Sequence, residues 1–161
     1  MSLGRLIPYK RVDLAVQACS ELGWPLWVAG SGRDRARLEK LAGPTVKFLG
    51  RVPEAEVPAL LANCRGFIFP GLEDFGIAPV QALAAGRPVI AFAGGGALDI
   101  VQEGVNGVLF REQSVAALKA ALQQFQAARF DPVAARASAE RFGTPVFVER
   151  LRAYLAHQTR T

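Results

Sequence analysis

Histidine and cysteine are almost absent from this chain of 161 residues, which contains one His and two Cys. The single histidine, His157, lies near the C-terminus. The chain therefore has almost none of the histidines from which a catalytic triad or a histidine-bearing zinc site is built. Cys19 and Cys64 occur in apolar segments with helical character and have no spacing typical of a pair. We therefore predict two buried free thiols and a cytoplasmic setting.

Charged residues are also scarce, at 20% against 51% hydrophobic residues, which excludes a disordered chain. No apolar run reaches the ~18 residues that a membrane-spanning helix needs. The net charge of +5 suits phosphate-rich ligands or anionic membrane surfaces, but the cations are scattered and no nucleic-acid partner is expected. Their densest group, Arg33, Arg35, Arg37 and Lys40, is interpreted first as the solvated face of a helix and second as a membrane contact.

Short apolar runs alternate with longer segments of helical period along the whole chain. The strand-length runs lie at 26–29, 46–49, 66–69, 88–92 and 107–110. The helical segments lie near 10–22, 33–42, 54–63, 77–86, 97–103, 113–128, 132–141 and 144–157. This alternation predicts an α/β fold with a Rossmann-like, doubly wound parallel sheet of about six strands, flanked by helices.

The domain organisation expected from this pattern is one domain over residues 1–161. Within it, residues 132–157 are interpreted as a C-terminal helical appendage, introduced by Asp131 as the cap of a helix that starts at Pro132. Residues 1–3 are assigned to no strand, and the abrupt start of the first motif suggests a piece of a longer protein.

Four chemically suggestive loops follow predicted strands. They are Gly30-Ser31-Gly32, Gly50-Arg51-Val52, Pro70-Gly71-Leu72-Glu73 and Gly94-Gly95-Gly96. In open parallel sheets, ligands bind beyond the carboxyl ends of the strands. All four loops are therefore expected at one edge of the sheet, where they form a binding site.

The segment Glu73–Gln81 (EDFGIAPVQ) is the expected centre of that site. Free backbone N–H groups at a helix start suit a phosphate, and Gly76 allows a ligand to approach the main chain closely. Gln81 lies further inside the helix and is expected to face the same cleft. The alternative interpretation is that Glu73 or Asp74 merely caps the helix.

Two other segments are expected beside it. Arg5 and Lys10 flank a loop that leads into a helix, an arrangement that fits either a diphosphate clamp or a basic surface loop. The three glycines 94–96 indicate a close backbone approach or a flexible turn. Gly30-Ser31-Gly32 begins a dinucleotide fingerprint, but Arg35 stands where its third glycine belongs, which disfavours an NAD-dependent enzyme.

Together these segments resemble the C-terminal domain of the GT-B family of retaining glycosyltransferases, group 1, which includes bacterial mannosyl- and glucosyltransferases. The matching motifs are GRLIPYKR, WVAGSGRDRARLEKLA, VKFLGRVPEAEVPALLANCRGFIFP, EDFGIAPVQALAAGRPVIA and GGGALDIVQEGVNGVLF. The likeness covers residues 4–154 and implies one half of a GT-B fold.

The resemblance implies roles for individual residues. Arg5 and Lys10 bind the donor diphosphate and Glu73, the first glutamate of the E-x7-E signature, reaches the sugar or the reacting centre; these three are the catalytic candidates. Gln81 replaces the second glutamate, which grips the ribose hydroxyls. The other expected donor-binding residues are Gly4, Gly30, Gly32, Arg51, Val52, Asp74, Phe75, Gly76, Ile77, Gly95 and Gly96.

The resemblance also implies the activity. The expected reaction is transfer of a hexose, mannose or glucose, from a nucleoside-diphosphate sugar to a glycan or lipid-linked acceptor with retention, without a metal or other cofactor. The acceptor site belongs to an N-terminal domain for which this chain has no room, so these residues alone are expected to be inactive. The expected location is the cytoplasm, at the inner face of the membrane. A non-catalytic nucleotide-binding module or a subunit of a split enzyme stays open as an alternative.

Overall fold

The computed structural model describes residues 1–158 as six β-strands and eight α-helices. The strands are β1 (Ser2–Leu3), β2 (Leu26–Ala29), β3 (Val46–Gly50), β4 (Phe67–Phe69), β5 (Val89–Phe92) and β6 (Gly107–Phe110). The helices are α1 (Val12–Leu22), α2 (Arg35–Leu41), α3 (Val57–Ala62), α4 (Ile77–Ala84), α5 (Ala97–Ile100), α6 (Val115–Ala127), α7 (Pro132–Glu140) and α8 (Thr144–Gln158).

The strands form two parallel three-stranded sheets, in the orders β1-β2-β3 and β4-β5-β6. The backbone N–H of Ile68 in β4 donates to the carbonyl of Met1, at 2.8 Å, and so joins β4 to the strand β1. Read across this junction, the strand order is 3-2-1-4-5-6, which is the order of a Rossmann-like layer.

Alternating side chains of the strands pack into two hydrophobic cores on opposite faces of the sheets. Ile68 and Ile90 belong to the first core, with α1, α2 and α6, whereas Phe67, Phe69 and Val89 belong to the second, with α3, α4, α5 and α7. Because strand side chains alternate between faces, these buried runs require helices on both sides. The predicted doubly wound α/β fold is confirmed.

The start of the chain differs from the prediction. Ser2 and Leu3 form β1, paired with Val28 and Ala29, although a strand of two residues has no periodicity by which the sequence could reveal it. The helix expected from residue 10 is a 3₁₀ turn, Pro8–Lys10, followed by α1. Arg11 separates them with a left-handed backbone (φ 49°), the only positive φ of a non-glycine residue among those described.

Two helices close the described chain. As predicted, the Asp131 carboxylate caps α7 by accepting from the Val133 N–H at 2.9 Å. Helix α7 packs on α4 and buries Ala135 and Ala139. Helix α8, in contrast, buries none of its side chains.

The two thiols differ in environment. Cys19 on α1 is buried as predicted, whereas Cys64 follows α3 and is half-buried, so its predicted full burial inside a helix is wrong. Burial raises the pKa of Cys19 to about 11 and also raises the pKa of Cys64.

Alkylation should distinguish these two cysteines. Because the thiolate is the reactive species, Cys19 should stay unmodified by iodoacetamide at pH 8 while Cys64 reacts slowly, and both should react within minutes in denaturant. Peptide mass spectrometry of the alkylated protein measures both sites. Rapid native modification of Cys19 would contradict its placement in the first core.

No helix within residues 1–158 combines the length and the apolar character that crossing a bilayer requires.

Candidate functional site

A cavity of about 690 Å³ opens at the carboxyl edge of the strands, above the junction of β1 and β4. The chain leaves β1 toward α1 on one face and leaves β4 toward α4 on the other, so a crevice opens where the two paths diverge. The cavity is lined by Ser2, Leu3, Gly4, Arg5, Tyr9, Lys10, Val12, Phe69, Pro70, Leu72, Glu73, Asp74, Phe75, Gly76, Ile77, Ala78 and Gln81. The structure therefore brings together nine of the fifteen predicted site residues, from two separate segments.

Lys10 and Glu73 meet directly across this cavity. The Lys10 ammonium donates to the Glu73 carboxylate, and the two side chains are 21% and 18% exposed. Lys10 ends the 3₁₀ turn, and Gly71 passes so close that an added Cβ there would lie 2.9 Å from the Lys10 carbonyl oxygen. This close passage of two backbones places the cation of one segment beside the carboxylate of the other.

The residues 70–77, which we call the donor loop after the role that the sequence predicts for them, lead from β4 into α4. Gly76 is the N-cap residue of α4, at φ 95°, and no side chain caps the helix. The alternative interpretation of Glu73 or Asp74 as the helix cap is therefore wrong. The N–H groups of the first helical turn have no intrahelical acceptor and face the region of the cavity.

The predicted glycines 95 and 96 lie beneath the donor loop and do not line the cavity. The Gly96 N–H donates to the Glu73 carbonyl at 2.8 Å. An added Cβ would lie 2.2 Å from the Glu73 carbonyl oxygen at Gly95 and 2.1 Å from the Phe75 carbonyl oxygen at Gly96. The close approach indicated by the triple glycine is thus an approach to the donor loop itself.

Gly30 and Gly32 likewise pack closely against the backbone of a segment that lines the cavity, the one that contains Arg5. The Leu6 N–H donates to the Ser31 carbonyl at 2.9 Å, and the Gly4 N–H donates to the Ala29 carbonyl at 3.0 Å. An added Cβ at Gly30 would lie 1.8 Å from the Gly4 carbonyl oxygen. These glycines therefore support the wall of the cavity that Gly4 and Arg5 form.

Arg51 and Val52 follow β3, two strands away from β1, and do not line the cavity. Arg51 is exposed, and Val52 is half-buried against the second core. Their predicted role in binding the donor stays a prediction.

Sequence reasoning missed two exposed side chains of the cavity, Tyr9 and Leu72, although it predicted Phe75 and Ile77. Tyr9 is 51% exposed, and the Lys10 ammonium lies 5.6 Å from the centroid of its ring. Leu72 is also exposed and lines the cavity. The position of Tyr9 between Arg5 and Lys10 in the first motif was the available signal for its role.

The basic residues of α2 are partly paired with acids. Arg37 binds Asp34 through two hydrogen bonds of 2.7 and 2.8 Å, and Arg35 binds Glu39 at 2.8 Å. The hydrogen bond from Arg37 lowers the pKa of Asp34. Within the described part of the chain, no three His, Cys, Asp or Glu side chains cluster closely enough to hold a metal ion.

A second cavity of about 380 Å³ lies at the opposite, amino edge of the strands. Trp24, Trp27 and Phe125 form its aromatic walls, and both cysteines lie against it. It contains none of the predicted site residues, so the candidate chemistry is confined to the carboxyl edge.

A parallel α/β layer with a cavity of apolar and charged side chains at its topological switch point defines a Rossmann-like ligand-binding domain. The chain belongs to the family described as glycosyl transferases group 1, whose sequence model matches residues 1–143. A GDP-mannose-dependent alpha-mannosyltransferase of Mycolicibacterium smegmatis is 38% identical over 109 residues, which are 66% of this chain and 28% of that protein.

Solved glycosyltransferase structures share the fold. The lipopolysaccharide outer core galactosyltransferase WaaB, in its apo form, matches with a TM-score of 0.87 at 19% identity, over 98% of this chain and 48% of that one. HepE of Anabaena in complex with UDP matches with a TM-score of 0.80 at 23% identity, over 97% and 48%. The expected GT-B relationship is confirmed, and the chain spans about half the length of these structures.

Proposed function

We propose that this chain is the donor-binding part of a hexosyltransferase that takes mannose or glucose from a nucleoside-diphosphate sugar and transfers it with retention. The observation that carries the proposal is the cavity lined by Arg5, Lys10 and Glu73 beside the start of α4, in which Lys10 pairs with Glu73. The proposal is supported by the family membership, the GDP-mannose named for one relative and the UDP bound in one structural neighbour.

In this proposal the ligand lies along the cavity between two segments. Arg5, Lys10 and the backbone N–H groups of the donor loop bind the diphosphate, because cations and free helix-start amides both stabilise phosphate oxygens. Glu73 accepts from the sugar hydroxyls. Gln81, which lines the same cavity from α4, binds the ribose.

The same groups account for the chemistry. Breaking the bond between the sugar and the diphosphate leaves negative charge on the phosphate oxygens, and Arg5, Lys10 and the loop amides stabilise that charge without a metal. The leaving phosphate takes the proton of the acceptor hydroxyl as the acceptor attacks from the same face of the sugar. No histidine of the protein is needed as a base.

The acceptor, a glycan or lipid-linked sugar, is assigned to the part of the relatives that this chain does not cover. Residues 1–161 alone are proposed to bind the donor and not to transfer it. The longer protein is proposed to act in the cytoplasm at the inner face of the membrane, where the exposed cations of α2 provide a contact.

A thermal-shift panel of UDP-glucose, GDP-mannose, ADP-glucose, UDP, GDP and NAD tests the donor assignment. A ligand at about 100 times its Kd stabilises the folded protein by ~2.7 kcal/mol and raises Tm by several degrees. We expect this shift with one nucleoside diphosphate and with the corresponding nucleoside-diphosphate sugar, but not with NAD. Lys10→Met should reduce this shift to about half or less, and Lys47→Met, which changes an exposed lysine outside the cavity, should leave it unchanged. Stabilisation by NAD alone would refute the proposal.

Gln81→Glu should strengthen nucleotide binding. A carboxylate accepts charge-assisted hydrogen bonds from two ribose hydroxyls, whereas the amide has one accepting oxygen, so the gain is on the order of 1 kcal/mol, or about fivefold in Kd. Isothermal titration with the preferred nucleoside diphosphate measures it. Weaker binding by the variant would show that Gln81 does not hold the ribose.

A further inference from the structure

The donor loop touches the C-terminal helices through one aromatic contact. The rings of Phe75 and Phe142 lie 5.7 Å apart, centroid to centroid, at 73°, which is an edge-to-face arrangement. Phe75 lines the cavity and is 49% exposed, so about half of its surface is open to solvent. Phe142 lies in the connection between α7 and α8, far from the cavity in sequence.

Phe142 is itself firmly placed. The Arg141 guanidinium lies 4.7 Å from the centroid of the Phe142 ring and also donates to the carbonyl of Asp99. The Phe142 N–H donates to the Ala139 carbonyl at 3.0 Å, and Ala139 is buried where α7 packs on α4. A ring anchored in this way can fix a neighbour, Phe75, that is half exposed.

The proposed donor site uses the backbone of Phe75 and not its side chain. Its carbonyl lies over Gly96, and its N–H is one of the groups proposed to face the donor. Rotation of an unsupported Phe75 ring toward solvent would release the loop on the side that Gly96 does not hold. The loop is thus fixed from below by a glycine and from the side by an aromatic ring.

We propose that Phe142 is a positioning residue of the donor site, which holds Phe75 and through it the backbone N–H groups of the donor loop. This inference rests on the proposed function for the identity of the ligand but not for the mechanical coupling. The described C-terminal helices then act on donor binding rather than only on stability.

The first test needs no ligand. In Phe142→Ala, hydrogen exchange of the peptide over residues 72–78 should become about tenfold faster, because an aromatic pair contributes up to about 1.5 kcal/mol against a local opening. Phe130→Ala is the matched control, since Phe130 stacks on Phe125 at the same 5.7 Å, away from the cavity. Unchanged exchange at 72–78 in Phe142→Ala, or an equal increase in the control, would overturn the inference.

The second test uses the nucleotide sugar that the thermal-shift panel selects. Phe142→Ala should weaken its binding about tenfold and Phe142→Tyr should restore it to within about twofold, because the tyrosine ring keeps the edge-to-face contact. In a Phe75→Ala background the loss caused by Phe142→Ala should disappear. A loss of the same size in that background would contradict action through Phe75.

The two proposals fail in different ways. If the wild-type protein binds no nucleotide or nucleotide sugar, the proposed function is wrong, while the hydrogen-exchange result still decides the role of Phe142. If the wild type binds and Phe142→Ala binds equally well, the positioning role is wrong and the donor site stands.

Discussion

Gly96→Ala is expected to abolish detectable donor binding while the protein remains folded. The new Cβ would lie 2.1 Å from the Phe75 carbonyl oxygen and 2.6 Å from its Cα, so the donor loop must move. Gly96 has ordinary helical angles, φ −59° and ψ −18°, and the effect is therefore purely a collision. Loss of two charge-assisted hydrogen bonds from the loop N–H groups, at about 1.5 kcal/mol or more each, weakens donor binding by about 100-fold or more. Overpacking costs about 1–3 kcal/mol of stability.

Titration calorimetry and a thermal melt of the same variant measure the two effects separately. Gly43→Ala is the control, because the nearest atoms to its Cβ would belong to Ser20, with the Ser20 Cβ at 3.1 Å, on the far edge of the sheet. Donor affinity within threefold of wild type in Gly96→Ala would contradict the placement of the triple glycine under the donor loop.

Glu73→Gln is expected to tighten binding of the bare nucleoside diphosphate and to remove the advantage of the nucleotide sugar over it. Without ligand, Glu73 occupies the Lys10 ammonium that a diphosphate would use. The pair is partly exposed, so its release is worth at most ~1 kcal/mol, or about fivefold in Kd. The nucleotide sugar, in contrast, loses the hydrogen bonds that its sugar hydroxyls donate to the Glu73 carboxylate, so its binding becomes weaker relative to that of the bare diphosphate.

A double-mutant cycle with Lys10→Met isolates this competition. Lys10→Met should weaken the diphosphate by at least about tenfold, since a charge-assisted hydrogen bond to phosphate is lost. In its background, Glu73→Gln should no longer tighten binding. A persistent gain there would mean that Glu73 acts on the ligand directly by repulsion, and not through Lys10.

The fold was largely predictable because buried parallel strands are short apolar runs with clear ends. The runs at 26–29 and 107–110 were located exactly as the structure has them. Residues 2–3 were missed because β1 is too short to show alternation and is fixed only by its two neighbours. The helix expected over 97–103 ends at Ile100, since the next residues turn into the bridge that precedes β6.

The site was predictable where a motif carries its own chemistry, as Arg5, Lys10 and Glu73 do. The sequence could not show that Lys10 and Glu73 pair with each other, because they are 63 positions apart and meet only after β1 and β4 become neighbours. The contact of Phe75 with Phe142 was hidden for the same reason. The glycines 95 and 96 were recognised as a close approach, but their partner proved to be the protein's own loop.

The division of the strands into two three-stranded sheets has a thermodynamic consequence. Each hydrophobic core crosses that division: the first joins Val28 of β2 to Ile90 of β5, and the second joins Ala29 to Ala91. Neither sheet can unfold without exposing both cores, so the described chain should melt in a single cooperative transition. A ligand held between Lys10 and Glu73 bridges the same division, and its binding free energy should therefore raise the melting temperature of the whole unit rather than split the transition in two.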